Sequence, residues 1–563
     1  MTFTKSTYAN FIAQDPKARE NLFLTYVGPR NDFDVIIVGS GIGGGVLADD
    51  LADRLGKQKR ILVLEAGSFL YPTHVYNFCR FSNSSVARHF ASDVFWQSGN
   101  SNSDRFIGEM PQLIFGGRSV FWSGLIPRIQ PWELDFFPSS VRNDLTSKYL
   151  ALAGKKMNES KSMGKTAVAI VKALQASPLS ADFAIEETPR ALDQPYLKPD
   201  GTPSEEFFTE STGVFNTAEL LINQLGLTPG VNHGDHAGLQ VQVNQYVEDI
   251  QNFGHHYKVL ARNTLDGSVR YFEAPTVVLA AGSIESPKLL RRSSLFAWLP
   301  DNAKRVLGKG LTDHPTSKEL AAFVTNIGTV KISKKSHAKI IFYSLGNRDA
   351  NGEIQYPFNV EMNINHEYWH LRENDPTSAN QPIFSNNDPG GPSRLDIKFS
   401  FGNCLDSDNE IKDAPPFGYV PEVNFKNLSH VDDLSRSRFV ALAGWRKSND
   451  QIFTVMNDVA KRIFAQFENQ GSPVVPDDNL FYNQGGKGFG WGTVHHAAGS
   501  LRMPNRPAYD ANFQGDHVVD EDLRVAGHQN LYVCDMSVMP MSTAANPVRT
   551  LVALALRLSS HFG

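Results

Sequence analysis

Two groups of residues in this chain have types and spacings that could do chemistry. The first is the run Gly39-Ser40-Gly41-Ile42-Gly43-Gly44, with Glu65 lying 21 positions beyond its last glycine. Such a run cradles a pyrophosphate when it joins a strand to a helix. Gly39 makes the tight turn, Gly41 lets the backbone approach the phosphates, and Gly44 lets the helix pack on the strand. The helix start adds N–H donors and a partial positive charge. An acid at the end of the next strand, here Glu65 followed by Ala66, can hold the adenosine ribose hydroxyls. Glutamate suits the ribose of FAD or NAD alike and argues only against a 2′-phosphate.

The second group is His495-His496 and Asn546-Pro547. An imidazole titrates near operating pH and can take the proton of a hydroxyl. On an extended segment, adjacent side chains point to opposite faces, so only one of the two histidines can serve a given site. The same geometry argues against a metal pair. Asn546 and Pro547 read as a helix start, Asn at the N-cap and Pro at the first helical position. Taken alone, that pair describes a capped surface helix.

The hydrophobic pattern supplies elements to hold these residues. Residues 34–38 form a buried strand, 39–44 a turn, 45–55 a helix and 60–65 the next strand. Residues 276–281 are a similar strand entering a Gly-Ser turn, 531–535 another, and 547–560 a helix with Leu551, Leu554 and Leu558 along one side. Between these blocks lie two polar, irregular regions, and 374–393 is loop material. The pattern predicts an α/β fold: a Rossmann-like dinucleotide-binding domain assembled from discontinuous segments, and an α+β substrate-binding domain with a mixed sheet. The expected boundaries are 1–134, 231–314 and 486–563 for the first, and 135–230 and 315–485 for the second.

Bulk properties fit this organisation. At 563 residues the chain exceeds what one compact core usually holds. A net charge of -5 with no basic stripe speaks against nucleic acid. The apolar runs are too short for a membrane span, and no secretory leader is visible at the N-terminus, so a cytoplasmic location is expected. Cys79, Cys404 and Cys534 form no CxxC pair, which removes a disulfide relay and a cysteine zinc site. Metalloprotease, P-loop and α/β-hydrolase motifs are absent, and no metal is expected. His255-His256 follows the turn residues Asn252-Phe253-Gly254 and reads as a solvated hairpin.

Four separated blocks resemble the glucose–methanol–choline (GMC) oxidoreductases. They are the glycine fingerprint, the run Phe115–Gly124, the run Ala281–Leu290, and a C-terminal block. That last block joins Val494–Met503 to Asn530–Asp535 and Asn546–Thr550. The resemblance implies FAD as cofactor and oxidation of an alcohol by hydride transfer to flavin N5. It selects His496 as the general base, in an HxxGT-like His-Ala-Ala-Gly-Ser, and Asn546 as the second catalytic position. It also implies cofactor contacts from Gly117, Ser119, Trp122, Ser123, Gly124, Val247, Ala281, Gly282, Asp535, Asn546 and Pro547. The positive end of the helix after Pro547 would face the flavin pyrimidine.

The Phe115–Gly124 block reads most like pyranose oxidases, so a sugar or glycoside hydroxyl is the preferred donor and oxygen the acceptor. The family's covalently flavinylated members carry a histidine in this block, where Phe121 stands here, so FAD is expected to be non-covalent. Three readings compete with an oxidase: a dehydrogenase passing electrons to a quinone or protein, a lyase with a structural flavin, and a non-redox flavoprotein. The oligomeric state is left open. Tyr368, Trp369, Phe399 and Phe401 are expected mostly in the core rather than in a sugar pocket.

Overall fold

The computed structural model describes residues 32–69, 73–74, 112–160, 164–193, 213–224, 238–314, 320–333, 336–365, 393–405, 409–411, 423–424, 449–469, 496–505 and 513–563, apart from positions 57, 351 and 353. His495, Tyr368, Trp369, Cys79 and all of the 374–393 loop except Ser393 lie outside them.

The first core is built on a parallel sheet. Val35–Val38 lies at its centre, paired on one side with Ile61–Leu64 and on the other with Thr276–Leu279. Leu239–Gln242 and Leu531–Val533 complete the two edges. The central strands are uninterrupted apolar runs, VIIV and ILVL, buried throughout, as expected of a parallel sheet covered on both faces. The helix Ile42–Leu55 buries Val46, Leu47, Ala48, Leu51 and Ala52, and the C-terminal helix Val548–Ser559 belongs to the same core. The fingerprint helix therefore starts three residues earlier than the pattern suggests, within the glycine run.

The second core backs an antiparallel sheet. Its strands Phe183–Glu187, Ala338–Ser344, Phe358–Ile364, Ser393–Phe401 and Leu320–Ile327 are neighbours in that order. The expected mixed sheet is thus corrected: every described pairing in this sheet is antiparallel. Phe358–Ile364 and Ser393–Phe401 alternate strictly. Phe358, Val360, Met362 and Ile364 enter the apolar core, while Asn359, Glu361 and Asn363 take the other face. That alternation belongs to a sheet with one apolar face. Helices Lys165–Gln175 and Asn449–Phe464 cover the apolar side. Phe399 and Phe401 are buried there, as core residues.

Some residues expected with the substrate domain pack elsewhere. Phe137, Val141, Leu145, Tyr149, Ala153 and Met157 join the first core. Their helical turns lie against the C-terminal helix, where Arg549 pairs with Glu159 and donates to the Leu150 carbonyl.

Candidate active site

The glycine fingerprint sorts itself by what surrounds each glycine. Gly39 has φ +107°, and a Cβ there would lie 2.4 Å from the Ala280 carbonyl oxygen of the neighbouring strand turn. A Cβ on Gly44 would lie 2.1 Å from the Gly39 oxygen, and one on Gly43 1.9 Å from the Cys534 oxygen. These three glycines let backbones approach each other. Gly41 differs: nothing lies within 4 Å of its would-be Cβ. The same is true of Gly282, at the start of the helix Gly282–Arg292.

The fingerprint helix has no side-chain cap and no acid in its first turn. Its orphan N–H groups and positive end are left for an anion. Bare backbone, open space beside Gly41 and an uncompensated helix end fit the phosphates of a dinucleotide.

Ser40 ties this loop to its surroundings. Glu65, buried, accepts from the Ser40 N–H at 3.0 Å, the Ser40 hydroxyl at 2.6 Å and the Gly67 N–H at 2.9 Å. Burial raises its pKa, and these donors offset part of that rise. The Gly116 N–H donates to Ser40 Oγ at 2.8 Å, and Thr217 Oγ1 donates to the Ser40 carbonyl at 2.7 Å. Ser119 Oγ donates to the Gly116 carbonyl and accepts from the Thr217 N–H. Gly117, with φ +52°, sits so that a Cβ would be 3.0 Å from Gly41 Cα. The two glycine-rich loops thus lie against each other, although 76 residues separate Ser40 from Gly116.

The remaining expected contacts distribute as follows. Trp122 donates from its indole to the Phe215 carbonyl, and the Gly124 carbonyl accepts from the Ala191 N–H. Ser123 between them is half-buried. Ile42 is half-buried against the first core, and the Ala66 carbonyl accepts from Thr264. Val247 is buried in the first core, with its carbonyl engaged by Arg292. Asp535 accepts from the Gly282 N–H and Ser286 Oγ with one oxygen, and from the Ser537 N–H and Oγ with the other. Ala281 donates its N–H to Ser286 Oγ, so Asp535 and Ser286 together fix the turn after Thr276–Leu279.

His496 begins a segment fastened on two sides. Ala498 exchanges both backbone hydrogen bonds with Thr312, and Asp313 Oδ1 accepts from the His496 N–H at 3.2 Å. On the other side Ser283 Oγ donates to the Ala497 carbonyl at 2.7 Å, and the Gly499 N–H donates to the Met536 carbonyl. Ser283 belongs to the Gly282–Arg292 helix, so the histidine is tied to the nucleotide-type domain.

His314 packs edge to face on His496, ring centroids 5.0 Å apart. Its Nδ1 lies 2.8 Å from the Thr543 carbonyl. A carbonyl only accepts, so Nδ1 carries the proton; this tautomer is assigned from the network. Burial pulls the His314 pKa down to about 4, so the ring is neutral. Thr543 Oγ1 in turn donates to the Ala545 carbonyl, directly before Asn546. Thr543 thus bonds His314 through its carbonyl and the residue before Asn546 through its hydroxyl.

The C-terminal helix corrects one local expectation. Its N-cap is Pro547, with φ -83° and ψ -7°, and Asn546 stands one residue before it. The Leu551 N–H already bonds the Pro547 carbonyl, which starts the ladder one residue later than the Asn-Pro pattern suggests. No acid occupies the first turn.

Facing His314 is the polar side of the antiparallel sheet. Glu361 accepts from Lys339 at 3.3 Å and is register-paired with Lys398. Burial alone would raise its pKa, but Lys339 and Lys398 hold it below the ordinary value. His314, Asp313, Thr217 and this sheet face were not found from sequence. The Asp313-His314 pair was the one visible signal, and only its pairing with 496–498 gives it meaning.

The hairpin reading of His255-His256 agrees with the structure. His256 stacks on Phe253 in the hairpin and is half-buried. Cys534 is buried, and burial raises its pKa. Among the described residues no cluster of three or more His, Cys, Asp or Glu could hold a metal ion, and no helix is long and apolar enough to cross a membrane.

Comparison with known proteins gives the class. Residues 421–555 match the family model described as GMC oxidoreductase, a segment that contains His496, Asp535 and Asn546. Among matching solved structures is the crystal structure of pyridoxine 4-oxidase from Mesorbium loti. It aligns with a TM-score of 0.56 at 17% identity, over 94% of this chain and 99% of that one. No curated protein sequence matches the chain. Residues 421–555 thus resemble the corresponding part of a GMC oxidoreductase, and the pyridoxine 4-oxidase structure shares the fold along nearly the whole chain.

Proposed function

We propose that this protein oxidises a polar alcohol with FAD as a non-covalent cofactor, His496 as general base and oxygen as the electron acceptor. The supporting observation is the fastening of the His496 segment. It is held on one side by Ser283 of the helix that follows a fingerprint-sheet strand, and on the other by the Thr312–His314 loop, which bonds Thr543 three residues before Asn546. FAD, when bound, supplies the acceptor for the carbon-bound hydrogen.

Gly41, Gly117, Gly282 and the bare start of the Ile42–Leu55 helix would hold its phosphates, with Asp535 and Glu65 fixing the loops that do so. His496 takes the hydroxyl proton, and Asn546 holds the hydroxyl oxygen without a titrating proton of its own. His314 stays neutral beside it, so a proton gained by His496 meets no positive charge on that ring. The polar sheet face of Asn359, Glu361, Asn363, Lys398 and Ser400 supports a substrate with further hydroxyl or other polar groups, a sugar or a hydroxymethyl heterocycle among them.

The test is anaerobic mixing of the FAD-loaded protein with a panel of alcohols and sugars. Bleaching of the flavin band by at least one, and peroxide on admitting air, is the expected result. No bleaching by any member would overturn the redox reading in favour of a lyase, and bleaching without peroxide would replace oxygen by another acceptor.

A further inference from the structure

Two chain segments cross between the cores, and one buried carboxylate joins them. In residues 129–137, Ile129, Leu134 and Phe137 enter the first core while Trp132 and Phe136 enter the second. In 541–545, Met541 and Ala544 enter the second core and Ala545 the first. Where they meet, Glu133 Oε1 accepts from the Ala544 N–H at 2.5 Å and the Ala545 N–H at 3.3 Å, and Oε2 accepts from the Gln130 N–H at 3.0 Å.

An N3 glutamate in a capping box needs one oxygen for its own helix start. Here the second oxygen serves backbone 411 residues away, directly before Asn546. We propose that Glu133 is a positioning residue for Asn546, fixing the 544–546 backbone against the substrate side of the molecule; this rests on the role assigned to Asn546 above.

The geometry is demanding in a specific way. Three N–H donors converge on two acceptor oxygens of a fully buried side chain. Burial pushes the Glu133 pKa up to about 7, against the pull of those three donors. A carboxylate buried among backbone donors is costly to keep, and a helix of four residues gives little reason to keep it. Glutamine cannot replace it, because its amide nitrogen would face a backbone N–H on one side or the other.

The test is a double-mutant cycle on the rate of anaerobic flavin reduction, using the wild type, Glu133→Gln, Asn546→Ala and the double variant, each loaded with FAD. Misplacing a reacting group by a fraction of an ångström costs roughly 10- to 100-fold. We expect that loss in Glu133→Gln with FAD affinity retained, and no more than about a twofold further loss when Asn546 is already alanine. Equal losses in both backgrounds would mean a general packing role and overturn the proposal.

Should Glu133→Gln fail to fold, amide exchange of Ala544 and Ala545 in the wild-type holoprotein reads the clamp without turnover. Protection comparable to the C-terminal helix is expected, and exchange as fast as an exposed loop overturns the proposal. A wild type that no alcohol reduces would instead refute the oxidation reading while leaving the exchange result standing.

Discussion

The imidazoles of His314 and His496 meet edge to face with centroids 5.0 Å apart, and the buried one is held neutral. Two protonated rings at that distance would repel each other strongly in so dry a place. A neutral His314 fits the proposal that His496 is the ring that takes the proton during turnover.

The neutrality of His314 has a stability consequence. Its folded pKa, about 4, lies below the model-peptide value of 6.5. Between those values the unfolded chain binds a proton that the folded chain does not, so this residue makes stability rise with pH and costs stability as pH falls through the window. Relative to wild type, His314→Gln should therefore gain about 2 kcal/mol between pH 6.5 and pH 4.5. Urea unfolding of both proteins at the two pH values measures this; a pH-independent difference would mean that His314 titrates normally.

Glu133 has the opposite sign. Its folded pKa of about 7 lies above the ordinary 4.5, so the folded state binds the extra proton and stability falls as pH rises through that window. Relative to wild type, a glutamine there should gain stability as pH rises from 4.5 to 7, superimposed on a constant loss from the misplaced amide. The same unfolding series checks it.

The fingerprint glycines should separate into two kinds. Gly41→Ala meets open space at a φ of -63°, so folding without FAD should be nearly unchanged while FAD affinity falls about tenfold or more. Gly43→Ala drives a methyl to 1.9 Å from the Cys534 carbonyl and should destabilise the apoprotein by about 3 kcal/mol or more. Apoprotein unfolding and FAD titration of the two variants decide this, and equal stability losses would contradict it.

Glu65 holds three donors that only it satisfies in the described structure, two of them on Ser40. Glu65→Ala should weaken FAD binding first, because the fingerprint loop loses its anchor. It should also cost about 1–3 kcal/mol from the stranded donors. Calorimetric FAD binding and apoprotein melting separate the two effects; unchanged FAD affinity would count against a role for this loop in cofactor binding.

The parts legible in sequence were those that local pattern encodes. The runs at 35–38, 61–64 and 276–279 are continuous and apolar, and the glycine spacing explains the turn between the first strand and its helix. The alternation in Phe358–Ile364 and Ser393–Phe401 was also present in the sequence, and it gives the antiparallel, one-face-buried sheet once read at period two. What could not be read was long-range. Ser40 with Gly116 and Thr217, His314 with His496, and Glu133 with Ala544 are pairs separated by 76 to 411 residues; the histidines meet ring to ring, and each of the others uses a backbone atom on one side that carries no residue-type signal. The start of the C-terminal helix was misplaced by one residue because Pro547 is compatible with both the cap and the first turn.

The most direct measurement is anaerobic flavin reduction by an alcohol that bleaches the wild type, repeated with FAD-loaded His496→Ala. A general base is worth about 10²- to 10⁴-fold. We expect a loss of that size with FAD still bound and the fold intact. Reduction at a near-normal rate would show that His496 is not the base.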